Sequence, residues 1–284
     1  MTTILDALQK GTGYLEKHGV ESARLNMQHL LATVLGCRRM DLYVNFDKVL
    51  EEGRLERLRD LLKRRAQGVP LQHLAGTVEF QGQEFLCDER ALIPRPETEE
   101  LVGWLRKRSW PEKSRILDVG CGSGVIGLSL AVHLAGGGVE VVLSDLSRLA
   151  LDLAMENAAR LTGQLEGADL RFVEGDLFAA VNGTFDAIVA NLPYLSTADL
   201  AEVSREVRHD PEMALVGGER GTELMERFLM ECPAYLKPGG LVAMEFGAGQ
   251  EELLREVAVS RGLRDISIVR DLQGIPRFLL ASAA

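Results

Sequence analysis

The sequence predicts an α/β protein in which a doubly wound, mostly parallel sheet follows an N-terminal all-helical bundle and a linking β-hairpin. Residues 1–75 carry apolar residues at helical spacing only, and the runs 77–80 and 83–87 flank a Gln-Gly turn. From residue 114 onward, apolar runs alternate with amphipathic stretches, which is typical of a parallel sheet covered by helices on both faces. We therefore predict a helical domain at 1–75, a hairpin linker at 76–95 and a sheet domain at 96–284.

Composition limits the functional classes. The 284 residues are sufficient for two domains, and 46% hydrophobic with 26% charged residues is an ordinary balance for a globular protein. A net charge of −10 opposes long contacts with a nucleic-acid backbone. The four scattered cysteines contain no Cys-x-x-Cys pair, so we expect reduced thiols and no metal site. With no leader-like start and no run long enough to span a bilayer, we expect a cytoplasmic protein without a membrane partner.

Amphipathic stripes predict three helices in the first domain, the third at 54–66. Leucines occupy one face of this helix, and six basic residues occupy the other: Arg54, Arg57, Arg59, Lys63, Arg64 and Arg65. Such a face is either a solvated helix surface or a contact patch for an acidic or RNA-bound partner. After the hairpin, Pro96 and the acidic residues behind it predict a helix to about residue 107. Arg95 and Thr98 then belong either to a helix cap between domains or to the lip of a ligand cleft.

The sheet domain begins with a strand at 116–119, a glycine turn and a helix at 125–135. A second strand at 139–143 is followed by Asp145 and by a helix at 148–161, whose inward residues are expected to be Leu149, Leu153, Met155 and Ala159. Later runs predict strands at 170–173 and 185–190, helices near 197–207 and 221–236, a strand at 240–246, a helix at 250–260, and closing strands at 266–270 and 277–281. Because the carboxyl ends of parallel strands share one edge, residues that follow these strands are expected to line one crevice.

The glycine turn and the acid after the second strand predict a cofactor site. The turn consists of Gly120, Cys121, Gly122, Ser123 and Gly124, and its glycines allow main-chain N–H groups at a helix start to approach a ligand. Asp145 lies 25 residues after Gly120, where a carboxylate can accept hydrogen bonds from two ribose hydroxyls. The dinucleotide fingerprint requires a third glycine at position 125, which is Val here. The spacing therefore favours S-adenosylmethionine, whose methionine half has no pyrophosphate, over a nicotinamide cofactor.

Asp176, Leu177 and Phe178 follow the predicted strand at 170–173. Aspartate is common in turns and caps, and this is the simpler interpretation of Asp176 in isolation. At the same edge as the glycine turn, its carboxylate can instead accept a hydrogen bond from the exocyclic amine of adenine. Leu177 and Phe178 are then expected to pack on the adenine ring.

The tetrapeptide Asn191-Leu192-Pro193-Tyr194 follows the strand at 185–190 and is the most informative stretch for chemistry. A planar NH₂ group is a poor nucleophile because its lone pair is delocalised. An enzyme that methylates it must bind both N–H protons and orient the lone pair. The side-chain carbonyl of Asn191 and the main-chain carbonyl of Leu192 supply two acceptors, and Pro193 restricts Leu192 to extended geometry. Tyr194 offers a flat wall. We predict an in-line displacement on a sulfonium, assisted by positioning and without a strong base.

These motifs carry a resemblance to a known family. Along nearly its whole length, the chain resembles the protein-(glutamine-N5) methyltransferases that modify peptide chain release factors, the HemK/PrmC family. The matching stretches are 68–72 with Gly76, Phe80 and Phe85, 92–99, 118–124, 191–194, 208–211 with Ala214, Leu215, Gly217 and Gly218, and 245–247 with Gln250. The Pro-Arg-Pro-Glu-Thr-Glu stretch and the segment around His209 are more specific than the glycine turn, which many methyltransferases share.

The resemblance implies a Rossmann-like methyltransferase sheet and a helical domain that helps to grip the release factor. It implies that the substrate is the glutamine of the Gly-Gly-Gln loop of a class 1 release factor, held by 191–194, and that methylation tunes translation termination. It also implies that 120–124, Asp145, Asn191 and the residues near Asp176 hold S-adenosylmethionine. The family usually has Asn-Pro-Pro-Tyr, and the Leu192 variant looks more like enzymes that dimethylate adenine in ribosomal RNA.

Two alternatives remain open at this point. An adenine-N6 methyltransferase acting on RNA or DNA would bind a similar NH₂ group, but the acidic net charge and the lack of a basic stretch near 191–220 oppose it. A non-catalytic S-adenosylmethionine-binding module is expected to lose Asn191 or to fill the glycine turn, and neither change is present. We therefore predict protein glutamine methylation, with no direct nucleic-acid substrate.

Overall fold

A computed structural model describes residues 1–284 and divides the chain into two compact units. The first unit contains Met1–Thr77 together with Ser204–His209, and the second contains Val78–Val203 and Asp210–Ala284. The short segment Ser204–His209 is thus part of the helical unit, although the sequence predicts it within the sheet domain. None of the helices is both long enough and apolar enough to cross a membrane.

The first unit is helical. Its helices are α1 (Ile4–Lys17), α2 (Ala23–Leu35), α3 (Glu52–Ala66) and the short α4 (Leu71–Ala75). A capping box begins α1, because the side chains of Thr3 and Asp6 each accept a hydrogen bond from the other residue's main-chain N–H. Gly36 caps the end of α2 and adopts the left-handed conformation that suits glycine. The apolar faces of these helices enclose one core, which includes Leu8, Met27, Leu30, Leu31 and Leu58.

Arg65 does not lie on the exposed basic face of α3. The other five basic residues are exposed, whereas Arg65 is buried. Its guanidinium donates to Asn26 Oδ1 at 2.6 Å and to the carbonyl of Val69 at 3.1 Å, and it forms an ion pair with Glu206. The prediction of six basic residues on one solvated face is therefore wrong at this position, since helical spacing alone cannot reveal partners so distant in sequence.

A β-hairpin follows the helices, in agreement with the sequence prediction. Its strands are β1 (Thr77–Phe80) and β2 (Gln83–Leu86). Gln81 and Gly82 between them both have positive φ, as a two-residue turn of this kind requires. Phe80 and Phe85 stack edge to face at 6.1 Å between ring centroids and join the core of the second unit. The hairpin is thereby packed on the sheet unit through its two aromatic side chains.

The second unit contains the main sheet. Its further strands are β3 (Arg115–Val119), β4 (Glu140–Asp145), β5 (Asp169–Glu174), β6 (Phe185–Asn191), β7 (Leu195–Ser196), β8 (Val216–Gly218), β9 (Leu236–Glu245), β10 (Arg264–Arg270) and β11 (Pro276–Ser282). The main sheet has seven strands in the order β10-β11-β9-β6-β3-β4-β5, and β7 pairs only with β8. Every pairing from β9 to β5 is parallel, whereas β11 runs antiparallel to β9 and to β10. The predicted mostly parallel sheet is confirmed.

Helices cover both faces of this sheet. They are α5 (Pro96–Leu105), α6 (Val125–Leu134), α7 (Arg148–Arg160), α8 (Glu223–Glu231) and α9 (Glu251–Ser260). Consecutive residues of β3 point to opposite faces, so Ile116 belongs to one apolar core and Leu117 to the other. The first core contains residues of α5 and α6, and the second contains residues of α8 and α9. The sheet is therefore doubly wound, as predicted.

The strand order reverses beside β3. The chain proceeds from β3 to β4 and β5 on one side, and then returns to place β6 and β9 on the other. In open parallel sheets, ligands bind outside the carboxyl ends of the strands at such a reversal. The glycine turn follows β3, and Asn191 is the last residue of β6. The topology thus brings the two predicted halves of the site to one crevice.

Two predicted details are wrong. No α-helix forms near 197–207, where the structure has only 3-10 turns at Asp199–Ala201 and Val207–His209. Ser196 and Asp199 exchange short-range hydrogen bonds that cap a single turn, and the chain then passes to the helical unit. In α7, the buried residues include Ala150, Leu151, Leu153 and Ala154, while Leu149 and Ala159 are exposed. The buried face of α7 is thus rotated from the predicted one.

Candidate functional site

One cavity opens at the carboxyl ends of β3, β4, β5 and β6. Eight of the residues predicted from sequence line it: Gly120, Gly122, Asp145, Asp176, Leu177, Asn191, Leu192 and Pro193. Four others do not reach the lining: Cys121, Ser123, Gly124 and Tyr194. These four lie in the same turn or the same tetrapeptide and support the lining residues from behind.

The glycine turn after β3 has a backbone that favours glycine. Gly120, Gly122 and Gly124 have φ values of +69°, +55° and +81°, in the left-handed region. A Cβ on Gly120 would lie 2.8 Å from Cδ2 of Leu192, and a Cβ on Gly124 would lie 3.1 Å from Cβ of Ala154. Because only Gly120 and Gly122 of this turn line the cavity, the turn provides a floor without side chains where α6 begins.

Asp145, the last residue of β4, is hydrogen-bonded to this turn. Its Oδ2 accepts from the N–H of Gly122 and its Oδ1 accepts from the N–H of Ser147, both at 2.8 Å. Burial raises the pKa of Asp145, and these main-chain donors oppose the rise. Each carboxylate oxygen has further acceptor capacity, so Asp145 can still bind hydroxyl donors from a ligand.

Asp118 supports the turn from within β3 and was given no role by the sequence analysis. It is fully buried, and its Oδ2 accepts from the N–H of Gly127 in the first turn of α6 at 2.8 Å. Its Oδ1 has no hydrogen-bond partner. Burial raises the pKa of Asp118 to about 7. This carboxyl group connects β3 to the start of α6 and so maintains the path of the glycine turn.

The stretch after β5 forms another wall. Asp176 forms an ion pair with Arg227 of α8 at 2.9 Å, and Leu177 has a φ of +50°, which is unusual for a residue with a side chain. Both residues line the cavity. Phe178 does not pack there, because it lies in the core of the sheet and stacks on Phe228 and Tyr235. The predicted position of Phe178 at the cavity is therefore wrong, and of these two residues only Leu177 lines it.

Asn191 at the end of β6 is held by a chain of two hydrogen bonds. Its Nδ2 donates to Oγ1 of Thr98 at 2.8 Å, and Thr98 Oγ1 donates to Oε2 of Glu245 at 2.7 Å. Thr98 and Glu245 are both buried. The Oδ1 of Asn191 accepts no hydrogen bond from another residue, and this oxygen is not fully buried. Asn191 thus offers an available acceptor oxygen at the cavity that it lines.

Leu192, Pro193 and Tyr194 have different environments. Leu192 packs its side chain beside Gly120 and is buried, and its main-chain carbonyl accepts no hydrogen bond from another residue. Pro193 lines the cavity. Tyr194 packs beside Gly247 behind this wall, and its carbonyl accepts from Gln250 Nε2 at 2.9 Å. Burial is the main cause that raises the pKa of the Tyr194 phenol.

Two further segments form the remaining walls. One contains Arg90, Ala91 and Leu92, and the other contains Pro211, Met213 and Ala214. Buried Asp210 joins them, because its carboxylate forms an ion pair with Arg95 and accepts from the N–H of Ile93. Arg95 and Thr98 therefore do not form the lip of the cavity and act from behind it. The family resemblance includes three of the six wall residues, Leu92, Pro211 and Ala214, but sequence alone gave these walls no function.

The arrangement has two chemically distinct halves. The glycine floor, Asp145 and Asp176 can hold a nucleoside-bearing cofactor, because main-chain atoms at a helix start and two carboxylates line the same cavity. Asn191 Oδ1 and the carbonyl of Leu192 can accept two N–H protons of one NH₂ group. Both halves belong to one cavity, so a bound cofactor and a bound NH₂ group would be neighbours.

The fold resembles solved methyltransferase structures. A methyltransferase from Pyrococcus furiosus superposes with a TM-score of 0.53 at 17% sequence identity, covering 82% of this chain and 98% of that one. The catalytic domain of human Mettl16, solved with an RNA hairpin, also gives a TM-score of 0.53, at 15% identity and with coverage of 79% and 82%. At such low identity these likenesses establish the fold alone.

Sequence comparison places the chain in a narrower group. Residues 6–76 match the PrmC N-terminal domain, and residues 97–215 match the methyltransferase small domain. The release factor glutamine methyltransferase of Deinococcus radiodurans is 40% identical over 280 residues, covering 98% of each chain. The enzyme of the same name from Geobacter sulfurreducens is 40% identical over 277 residues, covering 97% of this chain and 95% of its own. The chain belongs to the release factor glutamine methyltransferase family.

Proposed function

We propose that this protein transfers a methyl group from S-adenosylmethionine to the side-chain amide nitrogen of a glutamine, the one in the Gly-Gly-Gln loop of a class 1 release factor. The observation that carries the proposal is the pair of available acceptor oxygens at Asn191 and Leu192, on the cavity that also contains the glycine floor. Membership of the family supports the same activity. The proposed site of action is the cytoplasm, where translation termination takes place.

The cofactor half of the cavity is assigned to S-adenosylmethionine. Asp145 is proposed to accept from the ribose hydroxyls and Asp176 from the adenine amine, with Leu177 against the ring and the glycine turn beneath the methionine half. When bound, this cofactor supplies an electrophilic methyl group on a sulfonium. Because Asp176 is paired with Arg227, its charge is already balanced, and it can accept one more hydrogen bond without a new cation.

The acceptor half is assigned to the amide of the substrate glutamine. Asn191 Oδ1 and the Leu192 carbonyl would each accept one N–H proton, which holds the NH₂ group and sets the direction of the nitrogen lone pair. Transfer would form a C–N bond as the C–S bond of the sulfonium breaks, which leaves a neutral thioether, and the methylated nitrogen would then lose one proton to solvent. Fixed acceptors favour this step because positive charge develops on the amide nitrogen in the transition state. Positioning the two reactants in one cavity contributes further to the rate.

The helical unit is proposed to recognise the release factor. Residues 6–76 match the PrmC N-terminal domain, and the relative from Deinococcus radiodurans aligns over 98% of this chain, which includes these residues. The exposed basic face of α3, formed by Arg54, Arg57, Arg59, Lys63 and Arg64, is available for an acidic protein surface. We retain the predicted boundaries of 1–75, 76–95 and 96–284 as a proposal for the recognition domain, linker and catalytic domain.

Adenine-N6 methylation is the second candidate, and a single observation favours it. Leu192 replaces the usual second residue of the family motif, as in enzymes that act on adenine. The Leu192 side chain packs beside Gly120, and the leucine keeps the main-chain carbonyl, so the change does not remove the main-chain acceptor. The net charge of −10 opposes a nucleic-acid substrate.

A competition assay separates the two functions. The protein is incubated with methyl-labelled S-adenosylmethionine and with both a class 1 release factor and ribosomal RNA. We expect label in the release factor alone, on the glutamine of the Gly-Gly-Gln loop by peptide mass spectrometry. A release factor whose glutamine is replaced by asparagine is the matched control and is expected to remain unlabelled. Label in the RNA alone would overturn the proposal and support the adenine alternative.

A further inference from the structure

We infer that Thr98 and Glu245 are positioning residues that determine which end of the Asn191 amide faces the substrate. This inference deepens the proposed function and depends on it. The three side chains come from different parts of the chain: Thr98 from α5, Asn191 from the end of β6 and Glu245 from the end of β9. They form one linear relay, in which Asn191 is the only member that lines the cavity.

The fold places the relay at neighbouring strand ends. Asn191 and Glu245 are register partners in the parallel pair of β6 and β9. Thr98, in the first turn of α5, lies between their side chains, 2.8 Å from Asn191 Nδ2 and 2.7 Å from Glu245 Oε2. Thr98 is 3% exposed and Glu245 is 1% exposed, so water cannot replace either partner easily. The geometry of the relay is therefore set by the protein alone.

The number of protons on each group determines which group donates in each hydrogen bond of the relay. A hydroxyl group has one proton, and an ionised carboxylate can only accept. When Glu245 is ionised, Thr98 donates its proton to Glu245 and can only accept from Asn191. The Asn191 NH₂ group must therefore face Thr98, and Oδ1 must face away from it. Without the relay, the nearly symmetric side-chain amide could turn its NH₂ group toward the substrate and present a donor where an acceptor is needed.

The charge on Glu245 is balanced by its surroundings. Burial raises the pKa of Glu245 to about 7, the hydrogen bond from Thr98 and the cations Arg277 and Arg95 oppose the rise, and Glu97 adds to it. The same carboxylate contributes to the raised pKa of the Tyr194 phenol. Protonation would turn Glu245 into a donor and would free the Thr98 proton to point at Asn191. The relay would then favour the reversed amide, and transfer is expected to slow on the acid side of neutrality.

Substitution of Thr98 tests the relay directly. Thr98→Val keeps the shape of the side chain and removes the hydroxyl group, whereas Thr98→Ser keeps the hydroxyl group. At saturating cofactor and release factor, we expect Thr98→Val to lower kcat about tenfold or more, because a buried amide loses its partner. The KM for the release factor and the Kd for the cofactor are expected to change less than about threefold. Thr98→Ser is expected to recover most of the loss in kcat.

A purely structural role for Thr98 makes a different prediction. If Thr98 only fastens α5 to the sheet, Thr98→Val will either match the wild type or lose stability and cofactor binding together. In neither case will Thr98→Ser differ from Thr98→Val in kcat alone. Either result overturns the inference. If the wild-type protein itself transfers no methyl group to the release factor, the proposed function fails first, and the two failures are thereby distinguished.

The pH profile of Glu245→Gln provides the second test, which does not need the valine variant to fold. Glutamine keeps an acceptor oxygen for Thr98 but does not titrate. For the wild type, we expect kcat to fall as the pH decreases through about 7. For Glu245→Gln, we expect this acid limb to be absent or moved at least about one pH unit lower. Saturating cofactor removes the contribution of groups that affect only its binding. An unchanged acid limb in the variant would overturn the inference.

Discussion

The two halves of the cavity use their polar groups in opposite ways. In the cofactor half, the key groups are already bonded within the protein: Asp145 accepts from Gly122 and Ser147, and Asp176 pairs with Arg227. In the acceptor half, Asn191 Oδ1 and the Leu192 carbonyl have no partner in the protein. The polar groups of the first half are thus fixed by bonds within the protein. The second half presents two unpaired acceptor oxygens, which are positioned by groups behind them.

This difference separates binding from chemistry. Removal of a group in the cofactor half disturbs the glycine turn as well as the ligand contact, so the main effect is expected in cofactor affinity. Removal of an acceptor oxygen leaves the turn intact and removes a contact that strengthens as charge develops on the substrate nitrogen. The main effect is then expected in kcat. Three substitutions test whether the halves are separable in this way.

Asn191→Ala is expected to have the largest effect. It removes one of the two acceptors and leaves Thr98 without its donor. By analogy with the loss of one preorganised transition-state contact, we expect kcat to fall about 10²–10³-fold, with the Kd for S-adenosylmethionine within about threefold of the wild type. Rapid-quench transfer assays and calorimetric cofactor titration measure the two quantities. Asn182→Ala, at an exposed position before β6, is the matched control. A variant with wild-type kcat would remove the proposed role of the amide.

Gly120→Ala is expected to have the next largest effect, and on the other half. The added Cβ would lie 2.8 Å from Leu192 Cδ2, in a backbone with φ of +69° that costs about 1–2 kcal/mol for a residue with a side chain. We expect the Kd for the cofactor to rise about tenfold or more. Gly136→Ala, where a Cβ meets nothing within 4 Å, is the control. Equal affinities of the two variants would show that the floor needs no glycine.

Asp145→Asn is expected to have the smallest effect of the three. The amide replaces one acceptor oxygen by a donor, so the main-chain N–H of Gly122 or Ser147 loses its partner. We expect the cofactor Kd to rise several-fold, up to about tenfold, and kcat at saturation to change little. Asp152→Asn, in an exposed ion pair of α7, controls for the loss of charge. A large loss of kcat with unchanged Kd would contradict the separation of the two halves.

Much of the fold was predictable because local patterns and topology agree. Alternating apolar runs predicted the strands of the parallel sheet, and Gln81-Gly82 predicted the hairpin turn. The prediction of a helix near 197–207 was wrong because local side-chain hydrogen bonds, such as those between Ser196 and Asp199, limit the chain there to a single turn. Arg65 was misplaced for a related reason, since its partners Asn26 and Glu206 lie far along the chain.

The lining residues that follow or end a strand were easier to predict than the residues that support them. Gly120, Asp145 and Asn191 each follow or end a strand, so sequence order and sheet topology suffice to bring them together. Thr98 and Glu245 are 147 positions apart, and nothing in their local sequence indicates that they meet. Their pairing depends on how α5 packs on the sheet, which is a property of the tertiary structure alone.

A structure of the protein with S-adenosylhomocysteine and a class 1 release factor tests the two-acceptor site most directly. We predict that Nε2 of the Gly-Gly-Gln glutamine lies within about 3.2 Å of both Asn191 Oδ1 and the Leu192 carbonyl. The Asn191 NH₂ group should still face Thr98. A complex in which either oxygen lies more than about 4 Å from that nitrogen, or in which the amide is held by other groups, would contradict this prediction.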